Sequence, residues 1–302
     1  MKRTVKSRGP GYDIMRALYR NKLAMTCLVI IVLLVLIACT VDLFFDYETD
    51  VIGQTMNLRA KPSAEHPFGT DGKGRDYLAR TLYATRTSLF ISIAVNIGIF
   101  IIGTFLGGLA AYYGGWLDTL LMRGLDAIMA IPNVLLVICI VAVLGNSIAV
   151  LVLAFIITGL PAMLRTSRAS FLVSMQNEYV EAAHACGTSD LKIIFDHLLP
   201  NSLGPIIVQI TMNIGAVITS IASLGYIGLG VRIPIPEWGR MLSESQQYMR
   251  TDLHLLLIPG LFILITATAF NLLGDGIRDA TDPRLRGYVK PKKTPFWKRS
   301  AK

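Results

Sequence analysis

The chain has 302 residues, 53% of them hydrophobic and 16% charged. That balance is too apolar for a soluble domain of this size, and several apolar runs are long enough to cross about 30 Å of hydrocarbon. The net charge of +9 sits mostly in the two tails, with seven Lys/Arg against one Asp in residues 1–22 and nine against three in residues 274–302. By the positive-inside rule both tails are expected in the cytoplasm. Aromatic residues do not alternate with these charges, as they would in a single-strand nucleic-acid binder.

In chain order, a basic arm comes first, with Tyr12–Asn21 expected as a short interfacial helix. Leu23–Val41 is the first predicted span. Leu36-Ile37-Ala38-Cys39 has the look of a lipoprotein cleavage box, but the arm and the apolar run are long for a signal peptide and more spans follow. Asp42–Thr87 is expected as an outside loop, because its seven acidic and six basic residues leave no positive excess. Ser88–Tyr113 is the second span. Its Gly103, Gly107, Ala111 and Gly115 form a small-xxx-small row that admits a close helix neighbour, expected within the chain itself.

Gly114–Asp126 is expected as a short inside loop, Ala127–Leu144 as the third span, Gly145–Ser147 as an outside turn and Ile148–Leu164 as the fourth span. Ile206–Leu229 and Leu253–Leu273 complete the set, separated by an outside loop over Gly230–Asp252. Six spans return both tails to one side, which agrees with their charge. The fold class is thus an all-α integral membrane protein with six transmembrane helices.

The most polar stretch between two late spans, Tyr179–Asn201, has its own pattern. Tyr179, Ala182, Ala183 and Cys186 lie on one helical face. Gly187 follows where a left-handed residue would end a helix. Thr188, Ser189 and Asp190 offer capping oxygens for a second helix. Leu191, Ile194, Phe195 and Leu198 repeat the apolar spacing, and Pro200 is expected to stop that helix. The result is a helical hairpin on the inner membrane surface. It packs on its own bundle, lies in the lipid interface or docks a soluble partner by a helix-in-groove contact.

Catalytic patterns are missing. Gly69 and Gly74 have P-loop separation, but Arg75 and Asp76 stand where Lys and Ser/Thr are required. The four histidines are scattered, and Cys27, Cys39, Cys139 and Cys186 match neither a disulfide framework nor a metal site. The second to sixth spans hold no mid-span Asp, Glu, Lys or Arg of the kind a proton-driven carrier uses. Their polar residues are Asn96, Thr104, Asn213, Thr219, Ser220, Thr266, Thr268 and Asn271, expected to bond to neighbouring helices or to line a path. A membrane domain without an energy source, carrying a structured inside hairpin, suggests a pore subunit driven by a separate ATPase.

Glu181-Ala182-Ala183, Gly187 and Leu198-Leu199-Pro200 together resemble the EAA loop of ABC importer permeases, with His197 where an apolar residue is usual. His66-Pro67-Phe68-Gly69-Thr70-Asp71 with Gly74-Arg75-Asp76 and Arg80, then Pro236-Glu237-Trp238-Gly239, then Asn271–Ala280 with Asp282-Pro283-Arg284, resemble the C-type permease subunit of oligopeptide and dipeptide importers. The resemblance implies a type I importer permease fold in a prokaryotic cytoplasmic membrane, with both termini cytoplasmic. It divides the chain into an arm (1–22), a first span and loop (23–65), a permease core (66–287) with its coupling loop at 178–201, and a basic tail (288–302). It implies a second, B-type permease, one or two ATPase subunits and an extracytoplasmic substrate-binding protein as partners. ATP and magnesium would sit on the ATPases and no cofactor on this chain. Glu181, Ala182, Ala183, Gly187, Leu199 and Pro200 would form the coupling surface. Arg75, Asp76, Glu237 and Trp238 are candidates for a surface facing the binding protein or an outer gate, unless they only brace the loop. Solutes would be di- or oligopeptides, with nickel or another chelate as the alternative. A self-sufficient secondary carrier and a membrane-embedded enzyme are the rival classes.

Overall fold

A computed structural model describes residues 10–53 and 57–281. The basic residues 1–9 and the tail from Asp282 onward, with Asp282-Pro283-Arg284, lie outside the described residues. The described chain is helical. Its elements are α1 (Pro10–Arg20), α2 (Lys22–Thr40), α3 (Tyr77–Tyr113), α4 (Gly115–Met129), α5 (Asn133–Leu144), α6 (Ile148–Met175), α7 (Glu178–Ala185), α8 (Asp190–Lys192), α9 (Leu199–Tyr226), α10 (Trp238–Ser245) and α11 (His254–Thr281). A π turn over Ile193–Leu198 joins α8 to α9, so Asp190–Tyr226 runs on as one apolar segment. Among the described residues, five segments are long and apolar enough to cross a membrane: Lys22–Leu43, α3, α6, Asp190–Tyr226 and α11.

A sixth crossing is broken. α4 and α5 meet at 84°. This corrects two expectations. Residues 115–126 are helix, not loop, and Ala127–Leu144 is not one continuous span. Pro132, which cannot donate a backbone N–H, stands at the break and precedes the first residue of α5. With 12 residues α5 is only about 18 Å long. α4 is instead amphipathic and tied to α6. Arg168 Nε and Nη2 each donate to Asp118 at 2.6 Å, and Arg165 pairs with Asp126.

Spans also run past their predicted ends. Asp76 accepts from Ala79 N at 2.8 Å, so α3 starts at Tyr77. α6 continues through Pro161 to Met175. Pro200 does not stop the hairpin's second helix. Leu199 N–H bonds to Ile194 O, five residues back, and the wide turn leaves Pro200 in the first turn of α9, where a missing N–H is tolerated. Residues 230–252, expected as a loop, contain α10.

Lipid gives helices no hydrophobic reason to associate, so close packing has to supply it. α3 and α6 are the most extensive pair, and the small-residue row makes their contact. A Cβ on Gly107 would lie 2.8 Å from Leu164 O and from Ser167 Cβ, and one on Gly103 would press on Met163. Gly103 and Gly107 therefore serve packing within the chain, whereas Gly115 lies beyond α3 with open space around it. α2 buries Ala24, Cys27, Ile31 and Leu34, one face at 3–4-residue spacing. Ala24 nests on Gly276 of α11, and Gly274 packs on Met212 of α9. The glycines of the Asn271–Ala280 stretch are thus points of helix contact. Gly204 meets Thr281, so α1, the start of α2, the end of α11 and the hairpin share one end of the bundle.

Gly107→Ala should lower the thermal midpoint of the purified chain in detergent, since overpacking costs about 1–3 kcal/mol. Gly124→Ala is the control. It lies in α4 with open space around it, and should be neutral or stabilising by up to about 1 kcal/mol.

Candidate functional site

The hairpin is built around Gly187. Its φ is +73°, a conformation that costs an L side chain about 1–2 kcal/mol. Thr188 N–H reaches Ala183 O at 3.1 Å and Gly187 N–H reaches His184 O at 2.9 Å, closing α7 with the expected left-handed stop. Ser189 is the cap of α8 but makes no side-chain cap bond. Asp190 is engaged elsewhere. Tyr112, near the end of α3, donates to Asp190 Oδ1 at 2.7 Å and stacks on His184 of α7, with ring centroids 5.9 Å apart. One tyrosine therefore ties both arms of the hairpin to a membrane span. Nothing in the sequence marks this role, because Tyr112 reads there only as a span terminus.

The hairpin's faces divide differently from the predicted stripes. Val180 and Ala183 of α7, and Ile193, Ile194 and Leu198 beyond Gly187, are buried in the main core. Tyr179, Glu181, Ala182, Cys186, Gly187, Leu191, Phe195 and Pro200 are exposed, and Leu199 is half-buried. Packing and docking are therefore not exclusive. One side of the hairpin packs on its own bundle and the other stays free. Ala183, expected on the partner side, is turned inward.

At the far end of the bundle, the residues expected as a partner-facing surface are interior. Arg75 is 4%, Asp76 9%, Glu237 1% and Trp238 0% exposed, so a docking protein cannot reach them in this arrangement. They brace the loop. Arg75 Nε donates to Asp71 at 2.7 Å, and Arg75 and Arg80 both bond Glu244 of α10, at 2.9 and 3.2 Å. Arg80 Nη1 also bonds Val51 O. Two cations and two anions compensate one another there, which burial requires. Asp76 holds His66 Nδ1 at 2.7 Å while capping α3. Trp238 Nε1 donates to Thr81 O. Glu237 caps α10, accepting from Gly239 N and Arg240 N at 2.8 and 2.9 Å, with Ser88 Oγ at 3.4 Å. Burial pushes its carboxyl up to about 7 against the pull of those donors. The part played by Arg80 and Glu244 is not visible in sequence: a lone Glu in a loop carries no signal of its partner 164 residues away.

Between the two ends lies a cavity of about 350 Å3, lined from α5, α6 and α9. Asn133, Thr158, Asn213, Thr219, Ser220 and Ser223 supply its polar atoms, among apolar residues including Val137, Phe155 and Leu224. Asn213 Nδ2 donates to Asn96 Oδ1 at 2.9 Å, and both lie near the midpoints of their helices. Of the polar span residues named from sequence, Asn213, Thr219 and Ser220 face this cavity. Asn96 and Thr266 are buried in helix contacts.

These features define a helical membrane protein with a partly exposed hairpin at one end and a mainly apolar cavity carrying hydroxyl and amide groups. Residues 101–287 match the binding-protein-dependent transport system inner membrane component, and residues 9–62 match the N-terminal transmembrane domain of oligopeptide transport permease C. The chain belongs to this family of binding-protein-dependent transport permeases and is an integral membrane protein of it. It is 41% identical over 277 residues to a dipeptide transport system permease protein, DppC, of Alkalihalophilus pseudofirmus, covering 92% of this chain and 91% of that one. It is 42% identical over 281 residues to the glutathione transport system permease protein GsiD of Escherichia coli O6:K15:H31, covering 93% and 92%. An inward-facing structure of the MetNI methionine ABC transporter superposes with a TM-score of 0.55 at 18% identity, over 68% of this chain and 96% of that one, which shows the shared fold.

The folded chain holds the Glu237 proton more tightly than the unfolded chain, whose carboxyl has the usual value of 4.5. Stability should therefore fall as pH rises from 4.5 to about 7. Glu237→Gln should flatten that decline while keeping an acceptor for the cap. Thermal midpoints of both proteins across pH 4.5–8 check this.

Proposed function

We infer that this chain is a permease subunit of an ATP-driven importer of di- or oligopeptides, and that the hairpin is where a separate ATPase drives it. One observation carries the reading: the exposed side of the hairpin is continuous, through the π turn and Pro200, with the helix that walls the cavity. The hairpin end is the cytoplasmic end, as the basic tails require. Glu181, Ala182, Gly187 and Leu191 form the contact edge. Ala182 lets a partner approach the backbone of α7, and Glu181 supplies a charge-assisted hydrogen bond worth about 1.5–3 kcal/mol. The buried side, with Ala183 and Leu199, transmits the movement.

The chain itself has a transport role rather than a catalytic one. ATP hydrolysis, with its magnesium, belongs to one or two ATPase partners, and no cofactor is assigned to this chain. A second permease of B type completes the cavity. Val134, Leu135 and Ile227 beside it are exposed in the single chain, and close packing rather than apolarity would hold such a neighbour there. A substrate-binding protein delivers the solute at the end carrying α10. Peptide transport is favoured by the dipeptide and glutathione relatives. A nickel or other chelate importer would share this architecture.

Affinity purification of the tagged chain from its native membranes should recover a second permease and one or two P-loop ATPases. Recovery of the chain alone, together with ion-gradient-driven uptake in liposomes, would make it a self-sufficient carrier. Gly187→Val should abolish ATP-driven uptake with the protein still assembled in the membrane, because a β-branched residue resists positive φ. No neighbouring atom obstructs a side chain there, so the loss would report the angle between the arms. Glu181→Gln should cost less, about five- to tenfold in uptake rate, as expected for one charge-assisted bond weakened but not removed.

A further inference from the structure

The cavity between α5, α6 and α9 has a hydrogen-bond polarity that its residue types do not convey. Thr219, Ser220 and Ser223 donate their hydroxyl hydrogens to the carbonyls of Gly215, Ala216 and Thr219, at 3.0, 2.8 and 2.8 Å. Thr158 donates to Ala154 O at 3.1 Å. Each of these protons is used inside its own helix. What remains on each oxygen is acceptor capacity. Asn213 commits one amide hydrogen to Asn96 and keeps its Oδ1 as an acceptor. Donors are fewer, limited to the Asn133 amide and the second hydrogen of Asn213. No Asp, Glu, Lys or Arg lines the cavity.

We propose that this cavity is the chain's share of the solute path, and that it receives the N–H groups of a peptide on acceptor oxygens while remaining indifferent to the charge of the peptide's side chains. This rests on the importer reading above and states how that solute is received. A backbone N–H leaving water loses free energy unless an acceptor replaces the lost bond. Four hydroxyl oxygens and the amide oxygens of Asn133 and Asn213 along the wall replace it at whatever position the residue occupies. A fixed charge would instead hold one class of peptide and repel another. Thr219, Ser220 and Ser223 lie within about one helical turn. Thr219, Ser220 and Ser223 are all exposed in the single chain, so the acceptors are open to a solute.

The test adds a charge after assembly. Complexes carrying Ser220→Cys are reconstituted in vesicles and modified with a small cationic or a small anionic thiol reagent. The unsubstituted complex is treated identically, because Cys39, Cys139 and Cys186 are also exposed. ATP-driven uptake of labelled Ala-Ala, Ala-Lys and Ala-Glu is then compared. Taking the ratio of Ala-Lys to Ala-Glu relative to the untreated complex cancels the preference of the binding protein. The cationic reagent should lower that ratio about five- to tenfold and the anionic reagent raise it by as much, from Coulomb interaction at partly screened distances. The unsubstituted complex should keep its ratio. An unchanged ratio in modified Ser220→Cys, with or without a loss of rate, overturns the proposal, as does failure of that residue to react. If the unmodified, unsubstituted complex takes up none of the three peptides, the peptide-importer reading falls first. The reactivity of the substituted position then still reports separately whether water reaches the cavity.

Discussion

The continuity of the helix from Asp190 to Tyr226 is the constraint on which the rest of the molecule depends. At 37 residues it is about 55 Å long, and it carries the second arm of the hairpin at one end and the cavity wall toward the other. A stop at Pro200 would have uncoupled the two. The π turn avoids that stop by carrying the backbone bonds one residue further back just before the proline. α6 holds the segment laterally, through Ser174 and Ser202, whose hydroxyls meet at 2.9 Å in the interior. α3 holds its start, through Tyr112 and Asp190. The hairpin's second arm and the cavity wall thus belong to one laterally supported helix with no loop between them.

The far end of the bundle is built on the opposite plan. There the loop between the first two spans, the start of α3 and α10 are locked by buried charges that compensate one another: Asp71, Arg75, Arg80 and Glu244. Such a cluster tolerates no partial opening, because separating one partner leaves a buried charge unpaired at a cost of about 3–5 kcal/mol. The charges stay near that end. In the middle of the spans, polarity is limited to amides and hydroxyls, many of whose hydrogens are bonded within their own helices or to one another, while the buried Thr104 and Ser167 hydroxyls have no partner among the described residues. The molecule therefore has one end braced by paired charges, a middle free of charged side chains around the cavity, and a hairpin packed by one side on the bundle.

Several of these features are legible in the amino-acid sequence. The left-handed Gly187, the hairpin, the internal use of the Gly103–Gly107 row and the first span all follow from local rules about φ, capping and apolar length. Faces and breaks are less accessible. The stripe Tyr179, Ala182, Ala183, Cys186 is a sound helical face, yet the bundle takes Val180 and Ala183, because the docking angle is set by Tyr112 and by the core beneath. Gly114–Asp126 reads as a short inside loop but is helical, and its Asp118 and Asp126 pair with Arg168 and Arg165, 50 and 39 residues away.

By itself the sequence determined the class of molecule: a multi-span helical membrane protein with basic ends, a glycine-jointed hairpin and no recognisable catalytic motif. These are consequences of composition, run length and single-residue stereochemistry, which act locally. Tertiary structure decided which residues meet. It buried Arg75, Asp76, Glu237 and Trp238, the bracing arrangement among the alternatives their sequence leaves open, and set a surface helix on the predicted inside loop and a short helix in place of the predicted third span. It also gathered Asn133, Thr158, Asn213 and Ser220 around one cavity. The physical reason is that burial and pairing are properties of contacts between distant segments, and no local pattern in a chain carries the identity of its partner.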